Sequence, residues 1–374
     1  MHNQLPKVLI TSNPLDHEGG IANYYKIFFE FFKSNHISLM HLSFGSRMKH
    51  FYFFKLKFIL YPAYYVHDLV KLILILIKDK NVKIVQVSPS LIPLPLIRDA
   101  LIILIAKLFK KRVIVFYRGW KPFMLRILKK KSSLRFLFNL IYGLADKSFV
   151  LAASFKADLI DLGFNKNSIG ITTTMYTESE IAKKIIRSDE KVKILFLGRI
   201  SEAKGIGDLI DAAKLLKDQG YNFEFTVVGH GDRKGVVESF KKKSLMYGLD
   251  EHIKFPGRIT GNKKFLKYSE SDLFILPSWS EGCPNSVLEA LGSGLFVICT
   301  NVGALNDVII EGDNGKFSLA KDYKSLAKQL KWAFDNINYI RERSLRIQQK
   351  AKSLYSSDVI IHQFDKEYQD LLYG

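Results

Sequence analysis

The sequence predicts an α/β protein built from two doubly wound parallel sheets and closed by a helical C-terminus. Three observations lead there. Short β-branched apolar runs alternate with longer helical patterns along the chain, as parallel sheets with crossover helices require. The length of 374 residues corresponds to two domains at roughly 150 residues each. Charge is also divided, with 29 Lys and Arg against 11 Asp and Glu in residues 1–187, but 27 against 25 in residues 188–374. Nearly all of the +20 net charge therefore belongs to the first half.

In that half strands are expected at 8–11, 37–43, 84–87, 113–117, 148–152 and 169–173. A helix opens just after Gly19-Gly20, and Pro122 suits the first residue of another. The two greasiest stretches, 69–77 and 91–109, are interrupted by Lys71 in one and by Arg98, Asp99 and Lys107 in the other. Both fall short of the roughly 18 uncharged residues of a membrane-spanning helix, so they read as buried helices of the sheet. A polar stretch without period, 177–191, marks the boundary between a first domain over 1–180 and a second over 190–350. The second has strands at 192–197, 223–228, 253–255, 273–276 and 295–299, and helices at about 205–219, 233–247, 263–269 and 284–293. Consecutive helices follow from 322 to 373, the last of them (355–374) expected to pack back on the first domain.

The N-terminus has no long apolar segment after a basic start and reads as an opening strand, not a signal peptide. Cys283 and Cys299 make neither a disulfide framework nor a metal-ligand spacing. A cytoplasmic location is the expectation.

Two strand-to-helix junctions carry the chemistry. The first, SWSEGCPNSVLEALGSG at 278–294, leaves a strand at Pro277 and enters a helix. Such a junction binds anions, because unpaired N–H groups and the positive end of the helix dipole converge there. Glu281 falls in its loop and Glu289 one turn inside the helix above Asn285, so two carboxylates can meet one ligand. The pattern equally fits a capped helix with Glu289 on a solvated face. The second junction, FLGRISEAKGIGDLI at 196–210, sets Gly198 and Arg199 at a strand end and Lys204 at a helix start. Two cations in a crevice at the carboxyl ends of the strands suit a diphosphate, although for either one a surface bridge such as Arg199 with Glu202 is the plainer reading. A third turn, VVGHGD at 227–232, adds Gly229 and Gly231.

In order and spacing these segments resemble the C-terminal half of the family 4 glycosyltransferases, GT-B-fold enzymes that use nucleotide sugars. The resemblance covers most of residues 191–300. It is carried by Gly198, Arg199, Lys204 and Gly205, by Gly229 and Gly231, by FPGRI at 255–259, by SDLFILPS at 271–278, and by Glu281-x7-Glu289 with Pro284 and Asn285. It implies two Rossmann-like domains facing each other across a cleft. It also implies that Arg199 and Lys204 clamp the donor diphosphate with the amides of Asn285, Ser286 and Val287. Glu289 would hold the ribose hydroxyls, Glu281 and the backbone around Gly282 and Cys283 the donor sugar, and the Arg258-Ile259 backbone the base. Gly19 and Gly20 would face the donor phosphates from the first domain. The implied reaction is retaining transfer from a UDP-linked sugar. No Asp-x-Asp occurs, so neither a metal nor another cofactor is expected. Where many relatives have His-Gly after the fourth strand, this chain has Arg118-Gly119; an Arg cannot act as a base at pH 7, and a phosphate- or acid-binding role is expected instead. The usual Asn-Gly turn is also missing from 172–177. A nucleotide-sugar epimerase of the same fold, or a subunit that kept the fold without catalysis, remain the alternatives.

In this fold the N-terminal domain receives the acceptor. Its two acid-free stretches, 31–67 and 100–145, interleave Lys and Arg with aromatics: Phe44, Phe51, Tyr52, Phe53, Phe54, Phe58, Tyr61, Tyr64 and Tyr65, then Phe116, Tyr117, Trp120, Phe123, Phe136, Phe138 and Tyr142. Basic residues beside an anionic leaflet contribute about 1 kcal/mol each, and aromatics seat into headgroups. A peripheral enzyme on the inner face of the membrane, acting on a lipid-linked saccharide for cell-surface polysaccharide, is the expectation; the alternative is aromatics in the core and cations on a solvated face. No nucleic-acid module appears.

Overall fold

The computed structural model describes residues 5–17, 19–44, 54–185 and 191–374, with side chains described outside 54–62. Of the aromatics named above, Phe51, Tyr52 and Phe53 and the side chains of Phe54, Phe58 and Tyr61 lie outside the described residues. The chain divides into two compact units, one of Met1–Thr173 with Ser357–Gly374 and one of Thr174–Ser356.

The first unit holds a parallel sheet of β1 (Lys7–Ser12), β2 (Ser38–Ser43), β3 (Val82–Val87), β4 (Arg112–Phe116), β5 (Lys147–Val150) and β6 (Ile169–Ile171), in the order β2-β1-β3-β4-β5-β6. Side chains such as Val8, Leu9, Ile84 and Val85 are fully buried, because both faces of a parallel sheet are covered; this is why its apolar runs are unbroken. The step from β1 to β2 runs one way along the sheet and the steps from β2 to β5 run the other. Right-handed crossovers then put the helix Gly20–Phe31 on one face, and Phe54–Lys78, Pro93–Leu108, Pro122–Lys130, Ser132–Tyr142 and, through the like-directed step to β6, Ala153–Asp161 on the other.

The C-terminal helix Ser357–Tyr373 completes the first of these faces. The Phe364 ring lies 5.5 Å from Phe28, 5.5 Å from Phe116 and 5.0 Å from Phe149. Beside it the Tyr368 hydroxyl donates to Gln86 Oε1 at 2.7 Å, and Gln86 Nε2 donates to the Tyr25 hydroxyl at 3.1 Å. A buried glutamine of β3 thus ties the last helix to the first, with its amide satisfied at both ends.

Two expectations for this unit are corrected. Phe116, Tyr117, Trp120, Phe138 and Tyr142 are core residues, and only Phe123 and Phe136 of that second aromatic group are exposed. These rings bury more area than any other side chain and fill the space between the sheet and its helices. Conversely, Pro93–Leu108 is not a buried helix; Leu94, Ile97, Leu101 and Leu108 face solvent. Among the described residues no helix is long and apolar enough to cross a membrane.

The second unit has β7 (Val192–Leu197), β8 (Phe223–Val228), β9 (Ile253–Gly257), β10 (Leu273–Leu276), β11 (Phe296–Thr300) and β12 (Gly315–Ser318), all parallel, in the order β12-β11-β10-β7-β8-β9. The last strand, Gly-Lys-Phe-Ser, is absent from the sequence reading because four residues with one large apolar side chain give no periodic signal. In this order β7 lies between β8 and β10, and the chain leaves β7 and β10 in opposite directions. Their carboxyl ends form the topological switch point where open sheets bind ligands.

Truncating Phe364 removes a ring shared by both sides of the first unit's core. We expect Phe364→Ala to lower the unfolding free energy by about 3–5 kcal/mol, measured by denaturant titration of tryptophan fluorescence.

Candidate functional site

Glycines set the floor of the switch point. Gly198, Gly229 and Gly257 close β7, β8 and β9, linked by Gly198 N–H to the Val228 carbonyl at 3.0 Å and Gly229 N–H to the Gly257 carbonyl at 3.0 Å. A Cβ on Gly229 would come within 1.8 Å of the Gly198 carbonyl oxygen, so no side chain fits there. Gly205, at φ 71°, lies so close to β10 that a Cβ would meet the Pro277 carbonyl oxygen at 2.1 Å. The two junctions therefore touch by backbone, and Trp279 N–H donates to the Ala203 carbonyl at 2.9 Å to fasten them. The Trp279 indole N–H adds a bond to Asp208 at 2.9 Å, on the first turn of the helix Ile206–Asp218.

Above this floor the charged residues are arranged in pairs. Lys204 Nζ donates to Glu281, both largely buried, in a charge-assisted bond. Arg199, two residues after β7, is exposed, and among the described residues it has no ion pair, so its expected surface bridge to Glu202 is not formed. Glu289 is only 7% exposed, which overturns the solvated-face alternative. Its carboxylate accepts from Lys264 Nζ at 2.9 Å and from the Tyr268 hydroxyl at 3.0 Å. Burial, then the neighbouring Glu289 charge, push the Tyr268 phenol well above its usual range, so it stays protonated and remains a donor.

The helix Asn285–Gly292 starts at this point with Pro284 as its cap and no side-chain cap bond. Val287 N–H is bonded to the Pro284 carbonyl at 3.1 Å, leaving the Asn285 and Ser286 amides as the free donors of the first turn. The Glu281 loop is held from below: Ala304 N–H donates to the Gly282 carbonyl at 2.7 Å, and the Thr300 hydroxyl donates to the Ser278 carbonyl. Gly303, at φ 59°, passes under it, where a Cβ would meet the Glu281 carbonyl oxygen at 2.3 Å. Cys283 is buried, with its Sγ 3.4 Å from the Thr174 hydroxyl. Cys299 is buried on β11, and burial followed by the charges of Glu281 and Glu311 pushes its thiol up.

After β9, Arg258 is exposed and Ile259 half-buried. Sequence reasoning did not find Lys264, Tyr268, Thr300 or Gly303. Lys264 and Tyr268 stand one turn apart on the helix Asn262–Ser269, but their meeting with Glu289 is a tertiary event with no local signature. Gly303 offered one signal, a glycine three residues past a buried strand.

In the first unit, Gly19 (φ 139°) and Gly20 open the helix Gly20–Phe31 with clear space around both α-carbons. Arg118 lies at the end of β4, buried, with its guanidinium carbon 3.9 Å from the centre of the Tyr24 ring and 4.8 Å from that of Phe116. Its N–H donates to the Pro89 carbonyl at 3.0 Å. The side chain is thus stacked in the aromatic core beneath the helix that follows Gly19-Gly20, a cation–π arrangement.

The comparisons with known proteins now bear on this geometry. Residues 177–353 match the family model described as glycosyl transferases group 1. That span lies inside the second unit and contains both strand-to-helix junctions. Similar curated proteins include the amylovoran biosynthesis glycosyltransferase AmsK of Erwinia amylovora, 30% identical over 45% of this chain and 42% of the relative. The capsular polysaccharide biosynthesis glycosyltransferase CapM of Staphylococcus aureus is 25% identical over 47% of this chain and 46% of its own. An N,N'-diacetylbacillosaminyl-diphospho-undecaprenol alpha-1,3-N-acetylgalactosaminyltransferase of Campylobacter jejuni is 27% identical over 54% and 55%. The chain thus spans about half the length of the curated relatives it matches.

Solved structures extend the likeness of fold to both units. Sucrose-phosphate synthase from Thermosynechococcus elongatus superposes with a TM-score of 0.78 at 15% identity, over 98% of this chain and 99% of the other. Anabaena Alr3699/HepE in complex with UDP gives 0.69 at 13% identity, over 97% and 100%. The fold is GT-B, with two Rossmann-like units and a helical C-terminus.

The contact under the Glu281 loop is testable against a glycine of equal conformation. Gly312 (φ 81°) has open space around it, so Gly312→Ala should cost only the left-handed strain, about 1–2 kcal/mol. Gly303→Ala adds a backbone collision and should cost roughly 1 kcal/mol or more beyond that, with both read by thermal unfolding.

Proposed function

We propose that the chain is a glycosyltransferase of cell-surface polysaccharide assembly, moving a sugar from a UDP-linked donor to a hydroxyl of a lipid-linked saccharide, with retention and without a metal. The observation that carries this reading is the switch point of the second unit, which carries Arg199 at the end of β7, the Lys204–Glu281 pair, and the free amides of Asn285 and Ser286 at the start of the helix after β10. The group 1 match over 177–353 supports the reaction class. Relatives named for amylovoran, for capsular polysaccharide and for a diphospho-undecaprenol acceptor support the pathway class and the lipid-linked acceptor. The neighbour solved with UDP supports the donor.

In the reaction the bond from the sugar C1 to the diphosphate oxygen breaks, the acceptor oxygen takes its place on the same side of the sugar, and the acceptor hydroxyl's proton leaves to the departing phosphate oxygen. The departing nucleoside diphosphate gains negative charge. Arg199 and Lys204 meet that charge with the helix amides, already oriented, and so stabilise the transition state more than the ground state. They supply positive charge at the leaving group where other transferases use a divalent cation. Glu281, now bonded to Lys204, exchanges that partner for the sugar hydroxyls when the diphosphate claims the lysine. Glu289, held by Lys264 and Tyr268, presents its remaining lone pairs to the ribose hydroxyls, and the Arg258-Ile259 backbone meets the base. In the first unit, the Gly19-Gly20 loop before the helix Gly20–Phe31 leaves its backbone open. Arg118, stacked on Tyr24, keeps a fixed positive charge beneath that loop. The excess of basic residues in the same unit draws the enzyme to the inner face of the membrane, where its acceptor resides.

Arg199→Ala and Lys204→Ala should each lower transfer from a UDP-sugar by about 10²–10³-fold, measured with radiolabelled donor. Nucleotide sugars screened by thermal shift should raise the melting temperature through mass action on the folded state. Unchanged rates in both variants, or no shift from any UDP-sugar, would refute the site.

A further inference from the structure

Three of the crossover helices on one face of the first sheet do not finish in a polar surface. On Pro93–Leu108 every exposed position is apolar, and after Pro93 these are Leu94, Ile97, Leu101, Leu104 and Leu108, spaced alternately by three and four. That spacing draws one stripe along the helix. Exposure runs from 37% at Leu104 and 43% at Leu101 to 71% at Leu94 and 80% at Leu108, so the stripe reaches solvent along the whole helix and most fully at its ends. The helix packs between Phe54–Lys78 and Ser132–Tyr142, and the Tyr142 hydroxyl donates to the Leu96 carbonyl at 2.8 Å. Both neighbours continue the apolar surface, through Val70 and Leu74 on one side and Phe136 and Leu140 on the other. Three adjacent helices thus each turn large apolar side chains outward, more of them than the scattered leucines of an ordinary soluble surface.

Charge distinguishes its occupant. Residues 63–146 hold sixteen Lys and Arg, four Asp and no Glu. None of the four carboxylates is exposed: Asp68 and Asp99 are buried, Asp79 is bonded to Lys7 at 2.7 Å, and Asp146 is bonded to Lys107 and Arg112. Lys71, Lys78, Lys110, Arg126, Lys130 and Arg135 are exposed, and among the described residues none has an ion pair. Burial and the nearby Lys83 and Lys80 hold Lys111 below its usual pKa, a sign of crowded like charge. Two copies of the chain meeting through this face would bring their cationic rims together, and like charges juxtaposed in a contact oppose association. An anionic surface with an apolar interior satisfies both features.

We infer that this three-helix face docks on an anionic lipid bilayer, its helices lying in the interface plane with the leucine stripe among the acyl chains and the rim cations among the headgroups. This rests on the reading that the basic unit meets a membrane, and deepens it by naming the face and by adding insertion to electrostatic attraction. Insertion persists when charge is screened.

The test is flotation of the full chain with large vesicles of phosphatidylglycerol and phosphatidylcholine, without donor, at about 0.15 M and about 1 M salt, where the Debye length falls to roughly 3 Å. Wild type should bind at both. The triple variant L94Q/L101Q/L108Q, which leaves charge unchanged, should bind at least about tenfold more weakly at both, since three apolar side chains no longer leave water. L245Q/M246Q, on exposed positions of the second unit, should bind as wild type. Because both native cysteines are buried, Leu108→Cys accepts a polarity-sensitive dye at a position that leaves the core intact, and its emission should shift to the blue on vesicles. Transfer to a water-soluble acceptor should be unchanged in the triple variant. Loss of vesicle binding with transfer intact supports this surface. Equal binding of the triple variant and wild type, or wild-type binding abolished at 1 M salt, would overturn it. So would a lipid-free wild-type dimer that the triple variant dissociates. Vesicle binding is read without donor, so a failure of the glycosyl-transfer reading leaves this result legible.

Discussion

The Pro277 carbonyl oxygen stands 2.1 Å from where a Cβ on residue 205 would be, and the second unit is organised around that closeness. Only a glycine in the left-handed region allows the turn after β7 to press on the end of β10. Once it does, Lys204 comes within reach of Glu281, and Trp279 bonds to the Ala203 carbonyl. A bulkier residue would part the strands' ends and separate the cations from the carboxylates. The chemistry of the switch point thus depends on a backbone contact with no chemistry of its own.

The charged groups follow the same economy. A buried carboxylate without a partner is costly, yet Glu281 and Glu289 both lie largely out of water. Each has a lysine, and Glu289 also has a phenol that burial keeps protonated. The pairs make these carboxylates tolerable within the fold while leaving Arg199 in solvent at the mouth of the site. The Gly303 turn and the Thr300 hydroxyl hold the Glu281 loop at its proper height. The first unit answers the same problem with rings, since Arg118 is buried over Tyr24 and Phe116.

In the first unit, aromatic residues and surface character come apart. Phe116, Tyr117, Phe138 and Tyr142 fill the space beneath the crossover helices, so the aromatic richness of this half is chiefly a core property. Leucines and isoleucines, which composition alone would assign to the core, cover the outside of Pro93–Leu108. A doubly wound sheet needs only the inner side of each helix. The outer side is free to serve a partner, and here it is apolar, on helices that also carry exposed cations.

Much of this was legible in the sequence, and for a physical reason. Strands of a parallel sheet are buried on both faces, so Val8–Ile10 of β1, Ile194–Leu197 of β7 and all of β10 announce themselves as apolar runs, and glycines beside the strand ends mark the turns at the switch point. Arg199, Lys204, Glu281 and Glu289 could be read because each stands at a fixed offset from a strand end or a helix start. Residues whose roles come from other parts of the chain could not. Lys264 and Tyr268 meet Glu289 across more than twenty residues, and β12 becomes a strand only by pairing with β11. A heptad-spaced leucine stripe looks the same whether it faces a sheet or the solvent. Local sequence determined the elements and the chemical groups offered at their ends; packing alone decided which groups meet and which side of each helix is left outside, because contact and burial are properties of the assembled chain.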